Sequence, residues 1–213
     1  MEAVDLRQRQ RDERRQLIEQ SAALVFARKG LAAASVADIA EQAGFSPGSL
    51  YNYFSSKEEL LFSATFAQID ELEARMRAAL DPADAPADEL RAMVGAYFAF
   101  YRDRPQGFQL LMAGLDGGAR AKVPAEVVER YDRRALDCLS LLQSVVARGM
   151  EEGTFRAGDS WEMTHAIWGA FHGILQIAAG RDPERFVGFE VQGLLERTTE
   201  LLIDGIKTTG GTK

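Results

Sequence analysis

The sequence predicts an all-α protein, and three observations carry that expectation. Ala, Leu, Glu and Arg outweigh Val, Ile and Thr along its 213 residues, a balance that favours helix over strand. Apolar residues recur at three- and four-residue spacing in segment after segment. Serines stand before those segments and glycines or prolines after them, where helices start and stop. A chain of this length holds one well-buried domain, or a small domain joined to one of ordinary size.

From Gln16 to Lys29, Ile18, Ala22, Val25 and Phe26 keep helical spacing, and Gly30 supplies a stop. Ser35-Val36-Ala37-Asp38 has the form of a capping box and opens a short helix carrying Val36, Ile39, Ala40 and Ala43, which Gly44 ends. Ser46 then caps, and Pro47 begins, a third helix of about two turns reaching Tyr53. Ser56-Lys57-Glu58-Glu59 is a further capping box, launching a long helix to about Leu80, where Asp81-Pro82 breaks it. More helices are expected over roughly 87–103, 105–113, 124–152, 160–179 and 184–207. Pro105, Gly114, Gly117-Gly118, Gly153, Gly158, Gly180 and Pro183 punctuate them. The tail from Thr208 onward reads as frayed.

At 46% hydrophobic and 27% charged, with six prolines, the composition is that of a globular protein without disordered excess. A single cysteine, Cys138, excludes an intrachain disulfide and fits a reducing compartment. No run of 18 apolar residues occurs and the first twenty residues are too charged for a signal peptide, so a cytoplasmic protein with no membrane partner is expected. The net charge is −7, which by itself disfavours a polyanionic partner. It is unevenly spread: residues 1–62 hold eight Lys+Arg against nine Asp+Glu, and 63–213 seventeen against twenty-three. RQRQRDERR, residues 7–15, can therefore present a basic face.

A helix, a glycine turn and a very short helix between Val36 and Tyr53 make a helix-turn-helix pattern, whose second helix suits the major groove of DNA. Ala40 is small where the helices approach, and Ile39, Phe45 and Leu50 can form a shared apolar plug. Ser46, Pro47, Gly48, Ser49, Tyr51, Asn52 and Tyr53 are left outward, suited to phosphate oxygens, with Asn52 able to reach a base edge. Lys57 and Ser35 sit at helix N-termini, where phosphate can be held. Arg14, Arg15 and Arg28 are further candidates for backbone contact. The plainer reading is a helical hairpin in a larger bundle, under which an exposed Tyr-Asn-Tyr has no purpose.

The stretch SVADIAEQAGFSPGSLYNYFSSKEELL, residues 35–61, closely resembles the signature of TetR-family transcriptional regulators, and the likeness covers about residues 11–62. It implies a three-helix helix-turn-helix DNA-binding domain over 1–57. In the family the positions of Ser35, Ser46, Pro47, Gly48, Ser49, Tyr51, Asn52, Tyr53 and Lys57 face double-stranded operator DNA. Family members often carry histidine where Tyr53 stands, which bears on the operator sequence. The resemblance also implies a helical domain over 58–213 that binds a small molecule and forms a homodimer through its last two long helices.

The second part carries signals of its own. Segment 160–179 is apolar or small nearly all round, as in a helix covered on both sides. Ala166, Gly169, Ala170, Gly173 and Ile177, with Leu194, Leu201 and Leu202 of the last helix, are the expected dimer interface, an isologous four-helix seam. For an effector, Phe98, Tyr101, Phe108, Met112, Trp168, Phe171 and His172 are the candidate lining, suited to an apolar or planar molecule. For each of them ordinary core is the commoner role. His165 and His172 lie two turns, about 10 Å, apart, too far for one ion. No metal and no cofactor are expected. Cys138, among Leu136, Leu139 and Leu142, reads as a small core residue, and no hydrolase, P-loop or redox motif is present, so no catalytic residue is expected. The resulting reading is a DNA-binding regulator, a repressor released by a small, largely apolar ligand. The alternative is a helical small-molecule-binding module with a vestigial DNA-binding head.

Overall fold

The computed structural model describes residues 2–115, 117–179 and 190–208, with side chains from Leu6 onward. Among them are ten helices: α1 (Glu2–Ala33), α2 (Val36–Ala43), α3 (Pro47–Leu50), α4 (Lys57–Ala78), α5 (Pro86–Asp103), α6 (Pro105–Gly114), α7 (Gly117–Arg120), α8 (Ala125–Glu151), α9 (Ser160–Ala179) and α10 (Val191–Ile206). The expected breaks at Gly180 and Pro183, residues 184–189 of the expected last helix, and the tail beyond Thr208 lie outside the described residues.

The chain divides into two compact units. One takes in Met1–Ile69 and Gln106–Arg134, the other Asp70–Pro105 and Ala135–Lys213. This is a division by packing and differs from the expected domains over 1–57 and 58–213.

In the first unit, Ile18, Ala22, Val25 and Phe26 of α1 pack with Ile39, Ala40 and Ala43 of α2, Leu50 of α3 and Phe54, Leu60, Leu61, Ala64 and Leu110. The apolar spacing had announced only the covered part of α1. The helix begins at Glu2, not Gln16, because residues 7–15 are polar all round and give no stripe to read; the Gln8 amide bonds Asp12 one turn on, at 3.0 Å. Gly30, at φ 78°, breaks its regular course as expected.

Both halves of the box at α2 form: Asp38 N–H donates to Ser35 Oγ at 3.2 Å and Ser35 N–H to an Asp38 carboxylate oxygen at 3.0 Å. Lys29, 2.6 Å from the same carboxylate, and these cap bonds hold the Asp38 carboxyl at about 2. Gly44, left-handed at φ 74°, closes α2 while Gly44 N–H reaches Glu41 O and Phe45 N–H reaches Ala40 O at 2.9 Å. This is a Schellman end, a conformation glycine adopts without strain.

Helix α3 is a correction. One turn is formed instead of two, and the chain continues through tight i→i+3 bonds from Asn52 N–H to Ser49 O at 3.3 Å and from Tyr53 N–H to Leu50 O at 2.9 Å. Leu50 and Phe54 are buried while Tyr51 and Asn52 are exposed; an element so short holds whatever shape its anchors impose. At α4 the cap is also altered. Glu59 N–H donates to Ser56 Oγ at 3.0 Å, but the Glu59 carboxylate returns to Ser55, accepting its N–H at 2.7 Å and its hydroxyl at 2.9 Å.

The expected break at Gly117-Gly118 contains the one-turn helix α7. It is tied down by Arg120, which donates to Gly114 O at 3.2 Å and forks onto Asp132 at 2.8 and 2.7 Å.

In the second unit α5, α9 and α10 pack on one another, burying Leu90, Met93, Phe100, Ile167, Phe171, Leu175, Leu195 and Ile203. Phe155, fully buried, lies so close over Gly149 that a Cβ there would enter its ring. Phe155 pairs with Lys207 in a single bridge, and Arg156 N–H donates to Ile206 O at 2.7 Å. Cys138 is buried, and burial pushes its thiol up to about 12.

Candidate functional site

The candidate recognition face is assembled from the N-cap of α2, helix α3, the turn after it and the start of α4, all in the first unit. Ser35, Ser46, Pro47, Gly48, Tyr51 and Asn52 are exposed; Ser49, Tyr53 and Lys57 are half-buried. Tyr51 is 59% exposed. Ser46 Oγ accepts from Ser49 N–H at 3.2 Å and lies 2.8 Å from Ser49 Oγ, so the two hydroxyls are oriented before any ligand arrives. The Tyr53 ring meets Phe45 edge-on at 6.4 Å and is shared between core and solvent. Lys57 Nζ donates to Leu31 O at 2.8 Å, which pins its stem and leaves two of its three donors.

Arg15 is a second correction. It does not point outward to a phosphate: its guanidinium donates to Tyr53 O at 2.8 Å, Glu59 at 3.2 Å, Ser63 at 3.4 Å and Glu19 at 3.2 Å, and stacks 4.2 Å over the Phe54 ring. It is the pin that fixes the turn after α3 between α1 and α4. The signal was present in part, since Glu19 stands one helical turn beyond Arg15. Its 44-residue reach to Glu59 had no local trace. Arg14 and Arg28 are exposed.

A short polar turn held by an apolar core, beside two capped helix N-termini, is the head of a helix-turn-helix DNA-binding protein.

In the second unit a cavity of about 220 Å³ lies between α5 and α10, lined by Arg91, Val94, Gly95, Phe98, Gln192, Leu195, Glu196, Thr199 and Glu200. Arg91 forks onto both oxygens of Glu200 at 2.7 Å each and reaches Asp88 at 2.7 Å. Of the seven candidate effector residues Phe98 alone lines it. Phe108 and Met112 stand on α6 in the first unit, Phe108 fully buried. Tyr101 stacks on Phe98 at 6.1 Å, and burial raises its phenol above its ordinary value. Phe171 is core. His172 hydrogen-bonds Tyr97 Oη through Nδ1 at 3.0 Å and meets the Trp168 ring at a tilt with centroids 4.6 Å apart, and burial lowers its pKa. The polar lining from α10 was missed because residues 91 and 200 are 109 apart in sequence.

The expected dimer residues share one property, that no described residue fully covers them. Ala166, Gly169, Ile177 and Leu201 are exposed and Ala170, Gly173, Leu194 and Leu202 half-buried; Ile177 reaches 51% and Leu201 73%. At Gly169 and Gly173 a Cβ would meet nothing within 4 Å.

Comparison with known proteins agrees with this architecture. The family "Bacterial regulatory proteins, tetR family" matches residues 18–64, and "Tetracyclin repressor-like, C-terminal domain" matches 90–202. The HTH-type transcriptional repressor KstR2 of Mycobacterium tuberculosis is 33% identical over 143 residues, 67% of this chain and 69% of that protein. The HTH-type transcriptional activator FasR of Mycolicibacterium smegmatis is 39% identical over 101 residues; the match spans 47% of this chain and 46%, less than half, of that relative. The crystal structure of FadR from Bacillus subtilis in complex with stearoyl-CoA superposes with a TM-score of 0.71 at 20% identity, covering 90% of this chain and 98% of that one, which shows a common fold. The chain belongs to the TetR family of bacterial regulatory proteins. It is a helix-turn-helix DNA-binding transcriptional regulator.

Proposed function

We propose that the chain is a homodimeric repressor that reads a two-fold operator through Ser35, Ser46, Pro47, Gly48, Ser49, Tyr51, Asn52, Tyr53 and Lys57. A small, largely apolar effector in the second unit releases it. The observation that carries the reading is the turn after α3, where Tyr51 and Asn52 are exposed although flanked by buried Leu50 and Phe54. A side chain pair so placed adds nothing to the core and is free to reach a groove.

The exposed face of α9 and α10 supports the dimer, because two copies with Gly169 and Gly173 on it can approach closely. Repression follows a relative that spans two thirds of both chains, KstR2. Arg91 and Glu200 form a polar edge over the apolar floor of Val94, Phe98 and Leu195 in the α5–α10 cavity. Its volume, about 220 Å³, lies below the usual range of ligand pockets and suits a short acyl or aromatic group. The stearoyl-CoA held by the Bacillus subtilis neighbour is larger than that space. Release is a population shift: the effector need only bind better to the conformation that does not fit the operator.

The test is selection of duplexes from a random-sequence library by the full-length protein, followed by titration. The expected product is a pair of inverted half-sites spaced by whole helical turns, bound on the order of 10³-fold or more tighter than random DNA. Recovery of no preferred sequence overturns the reading in favour of a ligand-binding module with a vestigial head.

A further inference from the structure

The face of α1 that enters the first unit's core continues past it. Ile18, Ala22 and Val25 occupy that face where the helix is covered. Stepping toward the N-terminus by threes and fours, the same face carries Arg14, Arg11 and Arg7. With Gln10, Asn52 and Tyr53 they line a groove of about 320 Å³. All three arginines are exposed, and none has a hydrogen bond or ion pair with another described residue. Arg15 and Arg9, on neighbouring faces, are engaged. Like charges four residues apart weaken a helix, so this stripe opposes the stability of α1 until an anion covers it.

We propose that this groove is a second DNA-contacting site, holding the phosphodiester backbone that flanks the bases beside Tyr51 and Asn52. The inference rests on the DNA-binding reading above. From Arg7 to Arg14 the helix rises about 10 Å, over which one strand of B-DNA passes about three phosphates. The three guanidiniums therefore match successive phosphates of a single strand, and Asn52 and Tyr53, shared by the groove and the recognition turn, make the two sites continuous. Charge of this kind supplies affinity and footprint length and leaves base selectivity to the turn.

The experiment uses the full chain and a duplex recovered by the selection above, prepared with and without base pairs flanking each half-site. The triple variant Arg7→Gln/Arg11→Gln/Arg14→Gln is compared with the wild type from 50 to 200 mM salt. Three lost phosphate contacts make the slope of log K against log salt shallower by about 2.7 per protomer, about 5.4 for the dimer, so about 40-fold of the salt sensitivity over that range disappears for each protomer bound. The preference for selected over random duplex is retained, and trimming the flanks weakens the wild type but not the variant. Lysine at the three positions restores the slope. An unchanged slope and unchanged flank dependence in a variant with wild-type helicity overturn the inference alone. A tighter grip on single-stranded RNA than on the duplex also overturns it. A wild type that selects no duplex removes the DNA-binding reading and this site with it.

Discussion

The two units assign polar and apolar side chains to opposite tasks. Around the recognition turn of the first unit, fastening is polar: Arg15 ties Tyr53 O, Glu59 and Ser63 together, and Glu59 in turn holds Ser55. What that fastening presents to solvent is Tyr51, Asn52 and the serines. Around α9 and α10 of the second unit the fastening is apolar, with a buried polar pair between Tyr97 and His172. Among the side chains left outside there are the apolar Ile177 and Leu201, beside two open glycines. Under the proposed function, the exposed turn of the first unit awaits a polar partner and this apolar patch of the second an apolar one.

Substitutions can break that contrast at its strongest points. Phe155→Ala empties the fully buried site over Gly149 and should lower the free energy of unfolding by about 3–5 kcal/mol in a denaturant titration. Arg15→Ala strands Glu59, which is 7% exposed, at a cost of about 2–3 kcal/mol because the arginine itself is partly solvated. Adding Glu59→Gln should restore part of that loss, which a merely steric role for Arg15 would not allow. Leu201→Asp should do the reverse, leaving the protomer folded while weakening self-association on the order of 100-fold in sedimentation. Gly44→Ala forces a side chain into the left-handed turn and should cost about 1 kcal/mol. The smallest effect sharpens the second unit. Burial lowers the His172 pKa below its ordinary 6.5, so the neutral form is favoured in the fold. The stability it contributes is complete above about 6.5 and is lost as pH falls through the lowered folded value. Melting temperature should therefore drop between pH 7 and 5, and His172→Gln should flatten that dependence.

How much of this was legible follows from the same contrast. The helix-turn-helix head is written in local chemistry: Ser35 with Asp38, Gly44 with Ala40 and Ser46 with Pro47 are all within five residues, and α2 formed where the spacing placed it. The lengths of α1 and α3 were misread because each depends on something other than apolar spacing, a helix polar all round in one case and anchoring by Leu50 and Phe54 in the other. The second unit is built from distant pairs, Arg91 with Glu200 and Tyr97 with His172, which no window of sequence brings together. Aromatic content drew attention to Phe98, Phe108 and Phe171 alike, but burial of an aromatic is the common fate and carries no sign of a ligand.

The central claim is that the exposed turn after α3 reads DNA. The direct measurement is a titration of the wild type and of Tyr51→Ala/Asn52→Ala against a selected duplex and a random one, at two salt concentrations. The account predicts that the double variant keeps the wild type's unfolding curve and salt slope on random DNA but binds the two duplexes equally. A variant that still prefers the selected duplex by the wild-type ratio would contradict it.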